Sequence, residues 1–347
     1  MGRSLRVGSA GGCGMARGKD ADLVLEGGGV KGIGLVGAIS VLEESDYRIH
    51  RIAGTSAGAI VGALIAADMP VADLQKLMRD IDYGKFEDEG FLDHLGMVGK
   101  GLSILLEKGV YEGDYLRRWL DGLLEGLGKR TFGDLKLKDP GSSLPPRKRY
   151  RLVVMASDVT RGELVRLPWD YPKYGLDPDE QLVADAVRAS MSIPFFYEPV
   201  KLAGRATHGK AATSLLVDGG MLSNFPIEVF DRNDGKTPRW PTFGIKLSAR
   251  PGALGTPKFK TDSTFDFAKA MIGTMTSFHD QMHIEDPGVL ARTMFVDTLK
   301  VRATDFDIDE KTQDQLYKNG RGAAEQFLKT WNFSRYVKKF RKGSKQA

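Results

Sequence analysis

Gly54-Thr55-Ser56-Ala57-Gly58 is a Gly-x-Ser-x-Gly pentapeptide between an apolar run that ends at Ala53 and a second apolar run. A serine in such a turn can serve as a nucleophile. The turn is strained, glycines two places to either side let neighbouring backbone pass, and a helix starting behind the serine favours developing negative charge. The same five residues also make a plain Gly/Ser turn capping a helix, so the pentapeptide alone leaves both readings open. Upstream, Gly27-Gly28-Gly29-Val30-Lys31-Gly32 has Gly-x-Gly-x-x-Gly spacing after another apolar run. A dinucleotide loop of this pattern needs an acid at the end of the second strand to hold the ribose. Here that strand ends at Ala53-Gly54-Thr55, with the serine turn in the acid's place. The other use is an oxyanion loop, whose backbone N–H groups each lower a barrier by about 3 kcal/mol. The serine turn favours this second use.

A serine nucleophile needs a base, and none of the five histidines offers a convincing one. His50 lies at the wrong end of its strand, and His94 and His208 sit in polar or Gly-rich stretches. His279 and His283 are four apart, close to a zinc-binding helix pattern, but Asp280 replaces the usual Glu and no third ligand follows. Asp218 ends the apolar run Leu215-Leu216-Val217 and precedes Gly219-Gly220. A carboxylate at the carboxyl end of a strand lies where α/β sites are built, although Asp-Gly is also a common turn pair.

The elements that must hold these residues follow the α/β pattern. Asp22–Glu26 and Arg48–Ala53 read as buried strands, each followed by a turn and a helix, about Gly32–Glu44 and Gly58–Ala67. That repetition predicts a parallel sheet covered on both faces. Residues 70–147 read as mostly helical; the clearest helix is about Asp114–Leu127, with Leu116, Trp119, Leu120, Leu123, Leu124 and Leu127 three and four apart. Within that region Phe86, Phe91, Leu92, Leu102, Ile104 and Leu105 form either a cap over the site or an ordinary packing layer. Pro140–Lys148 reads as a loop. Strands are expected at Arg151–Ala156, Ser214–Val217, Thr242–Leu247 and Arg292–Thr298, and helices at Asp179–Ser190, Phe265–His283 and Thr312–Trp331.

Composition narrows the function further. Hydrophobic residues at 41% and charged residues at 27% are those of a globular chain, and 42 glycines in 347 residues point to tight turns and close backbone approaches. The net charge of +5 resides in the ends: residues 335–347 carry six basic groups and no acid, residues 1–20 net +3, and residues 21–334 net −4. A folded body of that sign argues against nucleic-acid binding. One cysteine, Cys13, permits no intrachain disulfide, and no signal peptide or membrane-spanning run is evident, so a cytoplasmic protein is expected. The basic C-terminal tail reads either as a peripheral contact for anionic membranes, helped by Tyr336, Val337 and Phe340, or as a solvated helix end.

Taken together, Gly27–Gly32, Gly54–Gly58 and Asp218-Gly219-Gly220, in that order, resemble the patatin-like phospholipase family. Arg188-Ala-Ser-Met-Ser-Ile-Pro194 and Asn224-Phe-Pro226 look similar too, and the resemblance covers about residues 22–232. It implies a three-layer α/β/α fold with a central mostly parallel sheet and a nucleophile elbow. It also implies a histidine-free dyad in which Ser56 attacks a lipid ester and Asp218 takes its proton. The loop Gly27, Gly28, Gly29, Lys31 and Gly32 would form the oxyanion hole, with Gly54 and Gly58 shaping the elbow and with neither metal nor cofactor. An aspartate near its free pKa of about 3.9 is a weak base, so the dyad requires burial. The domains expected are a disordered tail over 1–20, a catalytic domain over 21–232, an α/β extension packing on it over 233–334, and a basic tail over 335–347. Two other readings compete with hydrolysis: a catalytically idle lipid-binding or scaffold protein, and a nucleotide-binding oxidoreductase, which the missing ribose acid disfavours.

Overall fold

A computed structural model describes residues 19–81, 113–204, 213–248, 286–303 and 307–341, with Ala270, Met271, Thr274 and Asp305 besides. Cys13, His94, His208, His279, His283, the cap residues Phe86 to Leu105 and positions 342–347 lie outside them, as does most of the expected helix 265–283.

Strand β1 (Lys19–Leu25) and strand β2 (Tyr47–Gly54) pair in parallel, joined by helix α1 (Ile33–Glu44). Helix α2 (Ala57–Ala66) leaves the end of β2, and all ten of its residues are buried, as its run of Ala, Gly, Ile, Val and Leu dictates. After α3 (Val71–Asp80) and α4 (Asp114–Gly126), strand β3 (Leu152–Asp158) pairs in parallel with β2. Helix α4 buries Leu116, Leu120 and Leu124, the stripe its spacing predicted. Residues 127–147 are not helical beyond the 3-10 turns at Gly133–Leu135 and Pro146–Lys148, because Gly128, Gly133 and three closely spaced prolines interrupt any helical run.

Two short strands escaped the sequence reading: β4 (Glu163–Leu167), antiparallel to β3, and β5 (Val200–Ala203), antiparallel to β6 (Thr213–Asp218). Both are half exposed and carry charge, so neither shows a buried-strand run. Helix α5 (Val183–Ser190) lies between them in sequence and starts four residues later than expected, after a 3-10 turn at Pro178–Glu180.

Strand β7 (Thr242–Lys246) inserts beside β1, in parallel, and β8 (Thr293–Phe295) follows beside β7 after the short helix α6 (Pro287–Leu290). The described part of residues 233–334 therefore supplies β7 and β8 to the same sheet. The sheet order is β5-β6-β3-β2-β1-β7-β8, with β4 on β3. Helix α7 (Glu310–Thr330) lies on α1, and a last helix not foreseen, α8 (Phe333–Phe340), follows it.

The period-two alternation of the strands divides the core. Leu23, Leu25, Ile52, Leu152 and Val154 face a large core shared with α1, α2, α4, α5 and α7. Val24, Ala53, Val153 and Met155 face a smaller one, closed by Phe225, Ile227, Phe230 and Val289. Among the described residues, this second face is covered mainly by irregular chain and α6 rather than by long helices. The fold is a mixed α/β architecture with a central, mostly parallel sheet.

The pairings of β3 position the site. Val154 pairs with both Gly54 and Leu167, and Ala156 pairs with both Asp218 and Val165. A residue has only two edges, and β4 occupies one of them continuously from Val154 to Asp158. Strands β2 and β6 therefore share the other edge and run toward each other. Gly54 and Asp218 end up two β3 residues apart, so the turn after β2 meets the end of β6.

Candidate active site

Ser56 sits at φ 51° and ψ −124° in the turn between β2 and α2. Positive φ in a residue with a side chain costs on the order of 1–3 kcal/mol, so the surroundings must enforce it. They do so through the backbone: Gly58 N–H donates to Thr55 O at 2.8 Å, Ala59 N–H to Ser56 O at 2.8 Å, and Thr55 N–H to Leu25 O at 3.3 Å. The Ser56 N–H itself donates to Ser190 Oγ at 2.9 Å. The two flanking glycines are steric necessities: a Cβ on Gly54 would fall 2.2 Å from Gly58 O, and one on Gly58 would fall 2.5 Å from Leu25 O. The elbow is thus wedged against the end of β1, and Ser56 is buried.

Asp218 reaches this turn from the opposite direction. The expectation that it lies at the carboxyl edge because its strand ends there is corrected: β6 is antiparallel and descends from beyond that edge along β3. Its N–H donates to Ser192 O at 2.9 Å, and its Oδ1 accepts from Gly220 N–H at 2.7 Å. Burial pushes its carboxyl up to about 7 from an ordinary 3.8, against the opposing pull of the Gly220 N–H and the Ser56 hydroxyl. The same hydroxyl lies 3.3 Å from Met191 Sδ.

The glycine loop meets the pair from a third side, and its members differ in what they contribute. Gly27 N–H donates to Asn224 O at 3.3 Å, so it is engaged and does not face a reacting group. Gly28 and Gly29 carry N–H groups with no acceptor among the described residues, as expected at the start of a helical turn. Gly29 has φ 55°, and a Cβ there would fall 1.8 Å from Ala303 O. Lys31 donates through Nζ to Leu247 O at 3.4 Å, and burial lowers its pKa, opposed first by Glu26. Gly32 does not line the cavity beside Ser56: it packs at the start of α1, where a Cβ would lie 3.3 Å from Met78 Cε and 3.4 Å from Ala57 Cβ. A cavity of about 230 Å³ opens between these groups, lined by Gly27, Gly28, Gly29, Lys31, Ser56 and Asp218, with Ile193, Pro194 and Met221 at its apolar side.

Sequence reasoning assigned no role to the residues that brace this arrangement. Ser190, Met191 and Ser192 form one segment at the end of α5 that holds the Ser56 N–H, faces its hydroxyl and holds the Asp218 N–H. Arg188 is buried beneath it, donating to Glu198 O at 3.1 Å and stacked 5.5 Å from the Tyr197 ring. Asn224 returns its Nδ2 to Gly27 O at 3.2 Å and so ties the glycine loop to the aspartate turn. The runs Arg188–Pro194 and Asn224–Pro226 were the available signal. His50 is elsewhere, 3.3 Å from Asp139 Oδ2 and edge-on to Trp240. Among the described residues no cluster of three or more His, Cys, Asp or Glu is arranged to hold a metal ion.

Chemically, this is a hydroxyl on a strained turn, a carboxyl whose proton affinity suits neutral pH, and two unpartnered amides about one small cavity. Comparison with known proteins agrees with the motifs. The sequence model described as patatin-like phospholipase matches residues 23–231. An uncharacterised protein of Bacillus subtilis, YqhO, is 38% identical over 312 residues, 90% of this chain and 99% of its own length. A probable lipid hydrolase of invertebrate iridescent virus 6, 463L, is 26% identical over 214 residues, 60% of this chain and 62% of its own. Among solved structures, VipD from Legionella pneumophila aligns with a TM-score of 0.49 at 20% identity, over 91% of this chain and 67% of that one.

Proposed function

We propose that this chain, which belongs to the patatin-like phospholipase family, is a metal-independent lipid acyl hydrolase that cleaves carboxylic esters of phospholipids or other lipids. The observation that carries the reading is the meeting of Ser56 and Asp218 along one edge of β3, beside the unpartnered amides of Gly28 and Gly29. The relative named as a probable lipid hydrolase supports the substrate class.

In this mechanism Ser56 Oγ attacks the ester carbonyl carbon while its proton passes to the Asp218 carboxylate. The C–O π pair moves to the carbonyl oxygen, and the resulting oxyanion is held by the Gly28 and Gly29 N–H groups. Collapse of the tetrahedral intermediate breaks the bond to the alcohol, which takes the proton from Asp218. Water then attacks the acyl-Ser56 ester, Asp218 accepts its proton, and the fatty acid leaves as Ser56 is restored. A carboxyl pushed up to about 7 matches a base working near neutral pH far better than one at 3.8. Lys31 lines the cavity and adds positive potential beside the developing negative charge, while Gly27, Gly54 and Gly58 give the backbone its close approaches.

Contact with an anionic bilayer is proposed on charge alone. Arg335, Lys338 and Lys339 of α8 are exposed, but Tyr336 and Val337 face inward and give no apolar contact. Among the described residues no helix is long and apolar enough to cross a membrane.

A panel of lipid esters hydrolysed by the wild type and by Ser56→Ala tests the proposal, alongside labelling with a fluorophosphonate probe. Hydrolysis that survives a chelator and disappears in Ser56→Ala, with labelling at Ser56, is the expected result. No turnover and no labelling would point instead to an idle lipid-binding protein of the same fold.

A further inference from the structure

A second cavity, of about 310 Å³, lies on the face of the sheet covered by residues 225–241. Its walls include Asp22 and Arg51, each three residues short of the carboxyl end of its strand, and Thr242, the first residue of β7. None of the catalytic groups lines it.

Three arginines dominate this cavity, each fixed on one side by a carboxylate. Arg51 donates through Nε and Nη2 to Asp22 at 3.0 and 2.5 Å, Arg239 through Nη1 to Asp139 at 2.7 Å, and Arg341 through Nη2 to Asp231 at 2.6 Å. Aromatic rings back all three: Arg51 lies 4.7 Å over Phe230, Arg239 4.1 Å over Trp240, and Arg341 5.9 Å over Tyr336. The guanidinium groups are thereby held in place while part of each donor set stays unused. Among the described residues, Arg51 Nη1, Arg239 Nη2 and Arg341 Nη1 have no acceptor. Those of Arg51 and Arg341 are not sealed off either, since the one buried side-chain nitrogen without a partner among the described residues is Arg292 Nε.

The charge balance points the same way. Lys236 adds a fourth cation to the three arginines and their three carboxylates, in a body that is otherwise acidic, while Arg232 on the same wall is taken by both carboxylate oxygens of Asp234. If the arginines served only to pair with the carboxylates, three cations would suffice. A phosphomonoester carries about −1.5 to −2 at neutral pH and offers three acceptor oxygens to planar, pre-set guanidinium forks. We propose that the cavity bounded by Arg51, Arg239, Arg341 and Lys236 is a binding site for a phosphomonoester, separate from the ester-hydrolysing site. Ligand pockets run from roughly 300 to 1,000 Å³, so this one takes the phosphate and a few attached atoms. Because Arg341 follows α8 directly, a bound phosphate would also tie the C-terminal helix to β1 and β2.

The test uses the full chain carrying Ser56→Ala, so that its outcome does not depend on catalysis. Inorganic phosphate and glycerol 3-phosphate are titrated calorimetrically, and vesicles of phosphatidylcholine with and without phosphatidic acid are tested by co-sedimentation. Lys236→Gln alone, whose ammonium makes no hydrogen bond or ion pair among the described residues, and Lys236→Gln with Arg239→Gln are measured in parallel, with folding checked by thermal melting. Saturable binding that weakens at least about tenfold in the double variant supports the site. Binding of the soluble probes marks a water-soluble ligand, and phosphatidic acid-dependent binding without it marks a lipid head group. No saturable binding to any probe, or equal affinity in a folded double variant, would overturn the proposal.

Discussion

Replacing Asp218 by asparagine is expected to abolish ester hydrolysis and at the same time make the protein more stable at neutral and alkaline pH. The folded protein holds the Asp218 proton up to about pH 7, whereas an unfolded chain releases it near 3.8. Below about pH 4 the carboxyl is protonated in both states and contributes no penalty. As pH rises from there to 7, the unfolded chain gains by ionising while the folded one does not, and wild-type stability falls by about 1.4 kcal/mol per pH unit on this account. The gap of about three pH units therefore amounts to about 4 kcal/mol above pH 7, an order-of-magnitude figure for a fully buried carboxyl. Asparagine never ionises, and its Oδ1 can still accept from Gly220 N–H, 2.7 Å from Asp218 Oδ1 in the wild type. Urea denaturation of both proteins at pH 4, 6 and 8 measures the effect. The stability difference should be near zero at pH 4, grow through pH 6 and level off above 7. In parallel, wild-type kcat/KM should rise about tenfold per pH unit up to 7 and then plateau, since only the ionised carboxylate can take the serine proton. An asparagine variant that is less stable than wild type at pH 8, or that differs from it equally at pH 4 and pH 8, would refute the burial argument. An active variant would refute the dyad.

The strain at Ser56, φ 51°, predicts that Ser56→Gly melts higher than Ser56→Ala, by about 1 kcal/mol in stability, although both lose at least about a thousandfold in turnover. Gly58→Ala drives a Cβ against Leu25 O, and a melting-temperature drop of about 10 °C or recovery only as insoluble protein is expected. Ser190→Ala removes the acceptor of the buried Ser56 N–H, and denaturation should show a loss of about 1–3 kcal/mol together with slower turnover. Neutralising Arg335, Lys338 and Lys339 to glutamine keeps the docked side of α8 intact, so any loss of low-salt binding to anionic vesicles reports the basic face alone. Unchanged co-sedimentation would remove the tail from the membrane reading.

Local chemistry was legible without coordinates. A strained strand-to-helix turn is specified within five residues, because the glycine positions and the strand and helix around it are sequence neighbours, and Gly54 to Gly58 has that geometry. Buried strands β1, β2 and β3 and the stripe of α4 were readable for the same reason, as periodicity records burial along one element. The family followed from the order of three short motifs. What depended on contacts between distant parts of the chain was not legible. Gly27 looked like an oxyanion donor until Asn224, far along the chain, took its N–H. Asp218 was singled out on the premise that its strand ends at the carboxyl edge, whereas β6 runs the other way and meets β2 end to end along β3. The basic strength of Asp218 depends on the water excluded around it, and the strain at Ser56 on the backbone wedged behind it. Those quantities arise from packing among α5, β3 and β6, whose pairing no pattern of neighbouring residues encodes.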